Sequence, residues 1–299
     1  MQNMPAKVIL NPYAARWVAQ KRQPEVESAL HQAGITHDLV LTERPGHGIE
    51  LAEKAVQDGF SPIISAGGDG SNGDVLNGMQ RSRQGDSLKP FGVLPLGTAN
   101  DLVVNLSLPK ELPAAASCIA AGKTRRIDLG KVNEWVFANN SAVGLEPVVT
   151  IYNIRMVRLR GIIRYIVAAL RAINQKPAWN MSLEWDDGSY EGPISLVSVG
   201  NCPLTGGVFR MAPAADPADG LLTFVYGYAP TRRRMLGLLP KTMSGEYVKD
   251  PAIHQQHTRR LVIHSATPTP LQVDGEIRLE AGTDFVYECL PASLDIYSP

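Results

Sequence analysis

Cysteine is scarce in this chain. Cys118, Cys202 and Cys289 stand far apart and are odd in number, which excludes both a disulfide framework and the paired spacing of a zinc site. A reducing, cytoplasmic setting is therefore expected. Net charge is missing as well: 29 Lys and Arg balance 29 Asp and Glu. No global positive field draws the chain to nucleic acid or anionic lipid, and any such attraction has to come from a local patch. No run of about eighteen apolar residues occurs, and Val8-Ile9-Leu10 is too short for a signal-peptide core, so neither a transmembrane segment nor a secretion leader is expected. The six histidines show no ligand spacing, and none reads as catalytic. Internal repeats and low-complexity segments are also lacking.

What is present is an ordinary globular composition, 44% hydrophobic and 19% charged, over 299 residues. That length suits two domains with a core each. Residues 1–125 alternate short β-type runs with helix-like stretches. KVIL (7–10) precedes a helix-like 15–33, DLVLT (38–42) precedes 47–58, and SPIISA (61–66) precedes a helix from about Ser71. FGVLP (91–95) precedes a helix starting near Thr98. Such alternation predicts a parallel α/β sheet covered on both faces, with ligands at the carboxyl ends of the strands. Residues 126–289 change texture to short strands between turn signals, an antiparallel β-rich domain. One long helix at about 154–174 interrupts them. Its Leu159, Ile162, Ile163, Ile166, Leu170 and Ile173 gather on one side, with Arg160, Arg164 and Arg171 opposite. The tail 290–299 is assigned to the first domain.

Three short segments carry the chemistry. SAGGDGSNGDVLNG (65–78) follows an apolar run and opens a helix, so its backbone N–H groups and helix dipole suit an anion. It fits neither G-x-G-x-x-G nor the lysine-bearing Walker pattern. Asp69 beside a phosphate would repel it unless a cation bridges the two or a proton is taken up, which points to magnesium-dependent phosphoryl transfer. A glycine-rich turn with Asp69 as a helix cap is the other reading. LPLGTANDL (94–102) repeats the logic at the next strand: Gly97 turns the chain, Thr98 offers a hydroxyl, and Asn100 and Asp101 cap a helix. Two such loops at adjacent strand ends favour a shared anion site. LQVDGEIRLE (271–280) is either a hairpin turn or a pair of carboxylates on a rigid turn, one of which accepts a hydroxyl proton or holds magnesium.

In order and spacing, G-G-D-G-S (67–71), P-L-G-T-A-N-D (95–101), ADPADGLL (215–222) and D-G-E (274–276) resemble the diacylglycerol kinase catalytic family, which includes bacterial lipid kinases and sphingosine kinases. The resemblance spans essentially the whole chain. It implies a Rossmann-like N-terminal α/β domain, a sandwich-like C-terminal β domain, and ATP in a cleft between them. The nucleotide contacts it implies are Asn11, Thr42, Gly67, Gly68, Asp69, Gly70, Ser71, Asn72, Gly73, Asp74, Gly97, Thr98 and Asn100. Glu276 is implied as proton acceptor, with Asp274 and Asp69 organising magnesium and water. A structural magnesium is implied at Asp216, Asp219 and Leu221, whose oxygen ligands suit a hard cation. The chain departs from the family pattern in three places. Ser71 replaces a threonine, Asn72-Gly73-Asp74 replaces apolar-Asn-Glu, and Asn11-Pro12-Tyr13-Ala14-Ala15 replaces N-P-x-S-G. The last two bear on the choice of nucleotide donor.

A lipid kinase has to reach a membrane surface. Arg155, Arg158, Arg160, Arg164 and Arg171 on the long helix, and Arg232-Arg233-Arg234 before Met-Leu-Gly-Leu-Leu, are the expected docking groups. The other reading of that helix is an apolar face covering the core with its arginines solvated. Trp17, Trp135, Trp179 and Trp185 read as core or rim residues. The expectation is thus an ATP- and Mg2+-dependent lipid kinase, peripheral to the membrane, binding no nucleic acid, with a homodimer allowed. A kinase of a soluble acceptor such as NAD and a non-catalytic nucleotide-binding module are the rivals.

Overall fold

Four apolar runs of the N-terminal half become parallel strands: β1 (Ala6–Leu10), β2 (His37–Leu41), β3 (Ile63–Gly67) and β4 (Phe91–Pro95). Their order in the sheet is β2-β1-β3-β4. The computed structural model describes residues 5–83, 88–156, 161–175 and 177–299, apart from the side chains of 15–18, 161 and 162. It divides into two units, Met1–Leu129 with Pro291–Pro299, and Gly130–Leu290.

In the first unit β3 and β4 are buried along their whole length, as central strands with helices on both faces must be. Ile296, near the chain end, pairs in parallel with Phe91. The stretch expected as one helix over 15–33 is two, α1 (Ala14–Lys21) and α2 (Gln23–Gln32). Pro24 sits in the first turn of α2, where it fits, but it cannot extend a helix that precedes it. Then come α3 (His47–Gln57), α4 (Asp69–Arg81), α5 (Asp101–Asn105) and α6 (Leu112–Ala120). Val8, Leu10, Ile64, Ala66 and Leu94 pack with residues of α2 and α6. The alternate strand residues point the other way, to the side where α3 and α4 pack together.

The second unit runs through β5 (Thr124–Val132), β6 (Trp135–Phe137), β7 (Asn140–Gly144), α7 (Leu145–Arg155), α8 (Gly161–Asn174), β8 (Trp179–Trp185) and β9 (Gly188–Ile194). It continues through β10 (Leu196–Gly200), β11 (Leu204–Thr205), β12 (Phe209–Arg210), β13 (Leu222–Gly227), α9 (Arg232–Leu238), α10 (Lys241–Ser244), β14 (Ile253–Thr258), β15 (Arg260–Val273) and β16 (Glu276–Tyr297). β5 and β16 carry the chain out of the first unit and back into it. Its antiparallel order is β14-β13-β10-β7-β15. Register shifts between His264 and Gln272 let β15 pair β8 with one half and β7 with the other. Val143, Val197, Val199, Phe224, Ile263 and Phe285 lie in its core, with Trp135, Trp179 and Trp185 packed against it half-buried. The side chain of Trp17 lies outside the described set.

The expected 154–174 helix is replaced by α7 and α8, and its direction is also corrected. Leu159, Arg158 and Arg160 lie outside the described residues, as does the side chain of Ile162. On α8 the buried side chains are Ala168, Ala169, Ala172 and Ile173, whereas Ile163 is 60%, Leu170 43% and Ile166 38% exposed. Small alanines let the helix lie close to its unit, and the bulky apolar stripe faces outward.

Candidate functional site

The two glycine loops of the first unit leave the carboxyl ends of neighbouring strands, and the structure brings their backbones together. A Cβ built on Gly97 would stand 2.5 Å from the Cα of Gly68, and one on Gly67 would stand 2.4 Å from the Ser71 side chain. Only glycine permits this approach. Gly68 is the extended residue before α4, and no side chain caps that helix at its start, an opening that suits an anion.

Side chains brace the loops from behind. Asn11 directly follows β1, and its Nδ2 donates to Ser71 Oγ at 2.9 Å. The backbone N–H of Thr42, a residue 8% exposed, donates to Leu10 O. Asn100 adopts a left-handed φ of 52°, and its carboxamide both accepts from Gly97 N and donates to Gly97 O. That side chain shapes the Gly97 turn instead of capping α5. Thr98 is exposed at the tip. Asp69 Oδ1 accepts the backbone N–H of Leu102 at 3.1 Å, so the carboxylate of the first loop caps the helix that follows the second. Burial raises the Asp69 pKa, and the backbone N–H groups of Asp101 and Leu102 oppose the shift. Helix α4 starts at Asp69, before the expected Ser71, and α5 starts at Asp101. Gly70 and Ser71 are half-buried in the first turn of α4, while Asn72 and Gly73 are buried within the helix. Neither amide atom of Asn72 has a partner among the described residues. Asp74 lies against Gly48 of α3.

In the second unit, Asp274 and Gly275 both have positive φ, 47° and 83°. They form a two-residue turn closed by the pair Val273 and Glu276, a hairpin geometry in which Asp-Gly is favoured. The Asp274 carboxylate is 7% exposed as a residue and accepts three backbone N–H groups. These come from Ala138 at 3.0 Å, Asn139 at 2.9 Å and Asn140 at 3.1 Å. Asp274 thus anchors the turn, and Glu276 stands exposed at its far end.

At the third loop, Asp216 Oδ1 accepts from Ala218 N and Asp219 Oδ1 from Leu221 N, with Gly220 at a φ of 76°. Asp216 and Asp219 are exposed, and each spends one carboxylate oxygen on a local turn; oxygen donors of this kind are the type a hard cation takes. No group of three or more His, Cys, Asp or Glu able to hold a metal occurs among the described residues.

Sequence reasoning missed Glu146. It follows β7 at the start of α7, and Oε1 accepts from Asn140 Nδ2 at 2.8 Å and from Gln272 Nε2 at 3.1 Å. Burial pushes its pKa up to about 7 against those hydrogen bonds. No motif contains it; the only local signal is a carboxylate inside the otherwise apolar run AVGLEPVV.

Residues 5–132 match the diacylglycerol kinase catalytic domain, and residues 140–298 match the YegS C-terminal NAD kinase beta sandwich-like domain. A diacylglycerol kinase of Staphylococcus saprophyticus is 26% identical over 295 residues, covering 98% of this chain and 95% of its own. One from Staphylococcus aureus strain Newman is also 26% identical, covering 98% and 92%. The crystal structure of a diacylglycerol kinase from Bacillus anthracis str. Sterne superposes with a TM-score of 0.74 at 17% identity, covering 100% of this chain and 98% of the other. Two further structures from that organism reach 0.81 and 0.82.

Proposed function

The chain belongs to the family that joins a diacylglycerol kinase catalytic domain to a YegS-type β-sandwich-like domain, and from that premise we propose that it is an ATP- and magnesium-dependent kinase of a lipid hydroxyl. The observation that carries this reading is the close approach of the Gly68 and Gly97 backbones at the ends of adjacent parallel strands. A surface of N–H groups without side chains holds polyphosphate and fits few other ligands as well.

In this reading the two loops bind the ATP phosphates, with Ser71 and Thr98 offering hydroxyls. Asp69 and Asn100 keep the loops in place. Glu276 accepts the proton of the lipid hydroxyl as it attacks the terminal phosphorus, and Asp274 fixes the turn that carries it. Asp216 and Asp219, with the Leu221 carbonyl, would hold magnesium. When bound, the metal supplies structure and charge neutralisation. Catalysis is positioning plus electrostatics, with general-base help of about 10²–10⁴-fold.

The outward stripe of α8 supports a membrane-borne acceptor. Ile163, Ile166 and Leu170 are joined by Ile154 on α7 and Leu236 on α9, all exposed. Arg155, Arg171, Arg232 and Arg233 are exposed on the same helices, and α9 packs on α8. Apolar side chains beside arginines suit an interface with anionic headgroups.

The test is transfer of labelled phosphate from ATP with magnesium to lipid hydroxyls in mixed micelles, with the Glu276→Gln variant beside the wild type. The panel is diacylglycerol, monoacylglycerol, sphingoid bases, ceramide, phosphatidylglycerol and undecaprenol, with NAD as a soluble acceptor. A labelled lipid that falls by about 100-fold or more in the variant, with ATP affinity kept, is the expected result. Label on NAD alone, or ATP binding with no transfer to any acceptor, overturns the assignment.

A further inference from the structure

Glu146 lies in none of the phosphate loops, yet it is hydrogen-bonded to residues that hold the Asp274–Glu276 turn from both sides. Asn140 donates its side-chain amide to Glu146 Oε1 and its backbone N–H to Asp274 Oδ1. Gln272 donates its Nε2 to the same Glu146 oxygen, while its Oε1 accepts the backbone N–H of Gly275 at 2.7 Å. One carboxylate oxygen therefore orients two carboxamides, and these clasp the turn at Asp274 and at Gly275. Turned by 180°, the Gln272 amide would present N–H to N–H at Gly275. An acceptor at position 146 excludes that state.

The remaining surroundings are neutral. Glu146 Oε2 is shut off from solvent, and the buried hydroxyl of Ser198 stands close enough to the carboxylate to help lower its pKa, after Asn140 and before Gln272. The charged form of Glu146 is felt by Tyr247 and Tyr287, whose phenols burial already holds far above their usual range. Tyr247 is bonded to the carbonyl of Met211, and Tyr287 to Ser141 Oγ. A fully buried carboxylate whose partners are all neutral amides and a hydroxyl is costly to keep. A purely structural position would be better filled by an apolar side chain of the same length.

We propose that Glu146 is a positioning residue: through Asn140 and Gln272 it fixes the turn that presents Glu276 to the lipid hydroxyl. This rests on the kinase reading above for the step it serves, but the hold on the turn is a separate claim with its own readout.

The experiment compares Glu146→Met, which keeps length and loses the acceptor, with Glu146→Gln, which keeps an acceptor oxygen in place. Transfer kinetics and hydrogen exchange at the Gly275 amide are both measured in the full chain. In Glu146→Met, kcat is expected to fall between about tenfold and 100-fold with KM for ATP unchanged. The Gly275 amide is expected to exchange about tenfold faster or more. Glu146→Gln restores most of both. Full turnover and full Gly275 protection in Glu146→Met, or a Gln variant no better than Met, overturn the proposal. Should the wild type label no lipid, the kinase reading fails, and Gly275 exchange still decides whether Glu146 holds the turn.

Discussion

Glu146 should make the second unit less stable as pH rises, the reverse of an ordinary paired carboxylate. Its pKa stands at about 7 in the fold, raised by burial, against about 4.5 in an unfolded chain. Between those values the folded protein binds one proton more than the unfolded one, so stability falls with pH across that window. Below about pH 4.5 both states are protonated and nothing is lost; above about pH 7 both are ionised and the loss is complete. At ~1.4 kcal/mol per pH unit the full effect is about 3 kcal/mol, a large share of a typical domain's stability. Glu146→Gln cannot ionise and should not show it. Trp135, Trp179 and Trp185 lie in the second unit and Trp17 in the first, so with Trp17→Phe in both proteins tryptophan fluorescence during urea unfolding follows the second unit. The stability difference between variant and wild type, measured at pH 5 and again at pH 8, cancels every other titrating group. Part of the loss is already present at pH 5, so that difference should move by about 2.5 kcal/mol in favour of Gln at the higher pH. A movement under about 1 kcal/mol would show that the carboxylate is solvated, and the desolvation argument would fail with it.

Gly97→Ala forces a Cβ to within 2.5 Å of the Gly68 backbone, so nucleotide affinity by calorimetry should drop about tenfold or more. Gly237→Ala, which meets nothing within 4 Å, should bind as wild type and gain up to about 1 kcal/mol of stability; equal affinity in both variants would remove the case for the glycine cradle. Ile166→Ser with Leu170→Ser should weaken binding to phosphatidylglycerol vesicles, read by flotation, by about 30-fold, since each half-exposed side chain contributes about 1 kcal/mol on insertion. Unchanged flotation would exclude α8 as the docking face.

The alternation of apolar runs with helix-like stretches was legible in the first unit because a parallel sheet repeats a local grammar. The Asp-Gly hairpin was legible for the same reason, its two positive-φ residues being a local demand. What the sequence hid is long-range. Asp69 bonds a residue 33 positions on, and Asp274 bonds backbone 134–136 positions away. Nothing near either residue marks it as an anchor. The stripe on α8 was visible as a pattern, but periodicity does not say which face is buried. Ala168, Ala169 and Ala172 gave the core face because they allow close approach, and a reading that ranks side chains by apolarity alone favours Ile and Leu. Glu146 was invisible because its meaning comes from two strands and a helix start meeting at one oxygen.

The three motif carboxylates are alike in sequence and unlike in structure, and that decides how variants at them can be interpreted. Asp69 caps α5 and Asp274 gathers three backbone N–H groups. Replacing either with alanine leaves buried donors without an acceptor, at about 1–3 kcal/mol each. Lost turnover in Asp69→Ala or Asp274→Ala would therefore follow from displaced loops whether or not those carboxylates touch substrate. Glu276 is exposed, and its conversion to Gln removes a base with little change in packing. A drop in kcat at unchanged Tm in Glu276→Gln identifies the proton acceptor. The same drop accompanied by a lower Tm in Asp274→Ala identifies the anchor of the turn that carries it.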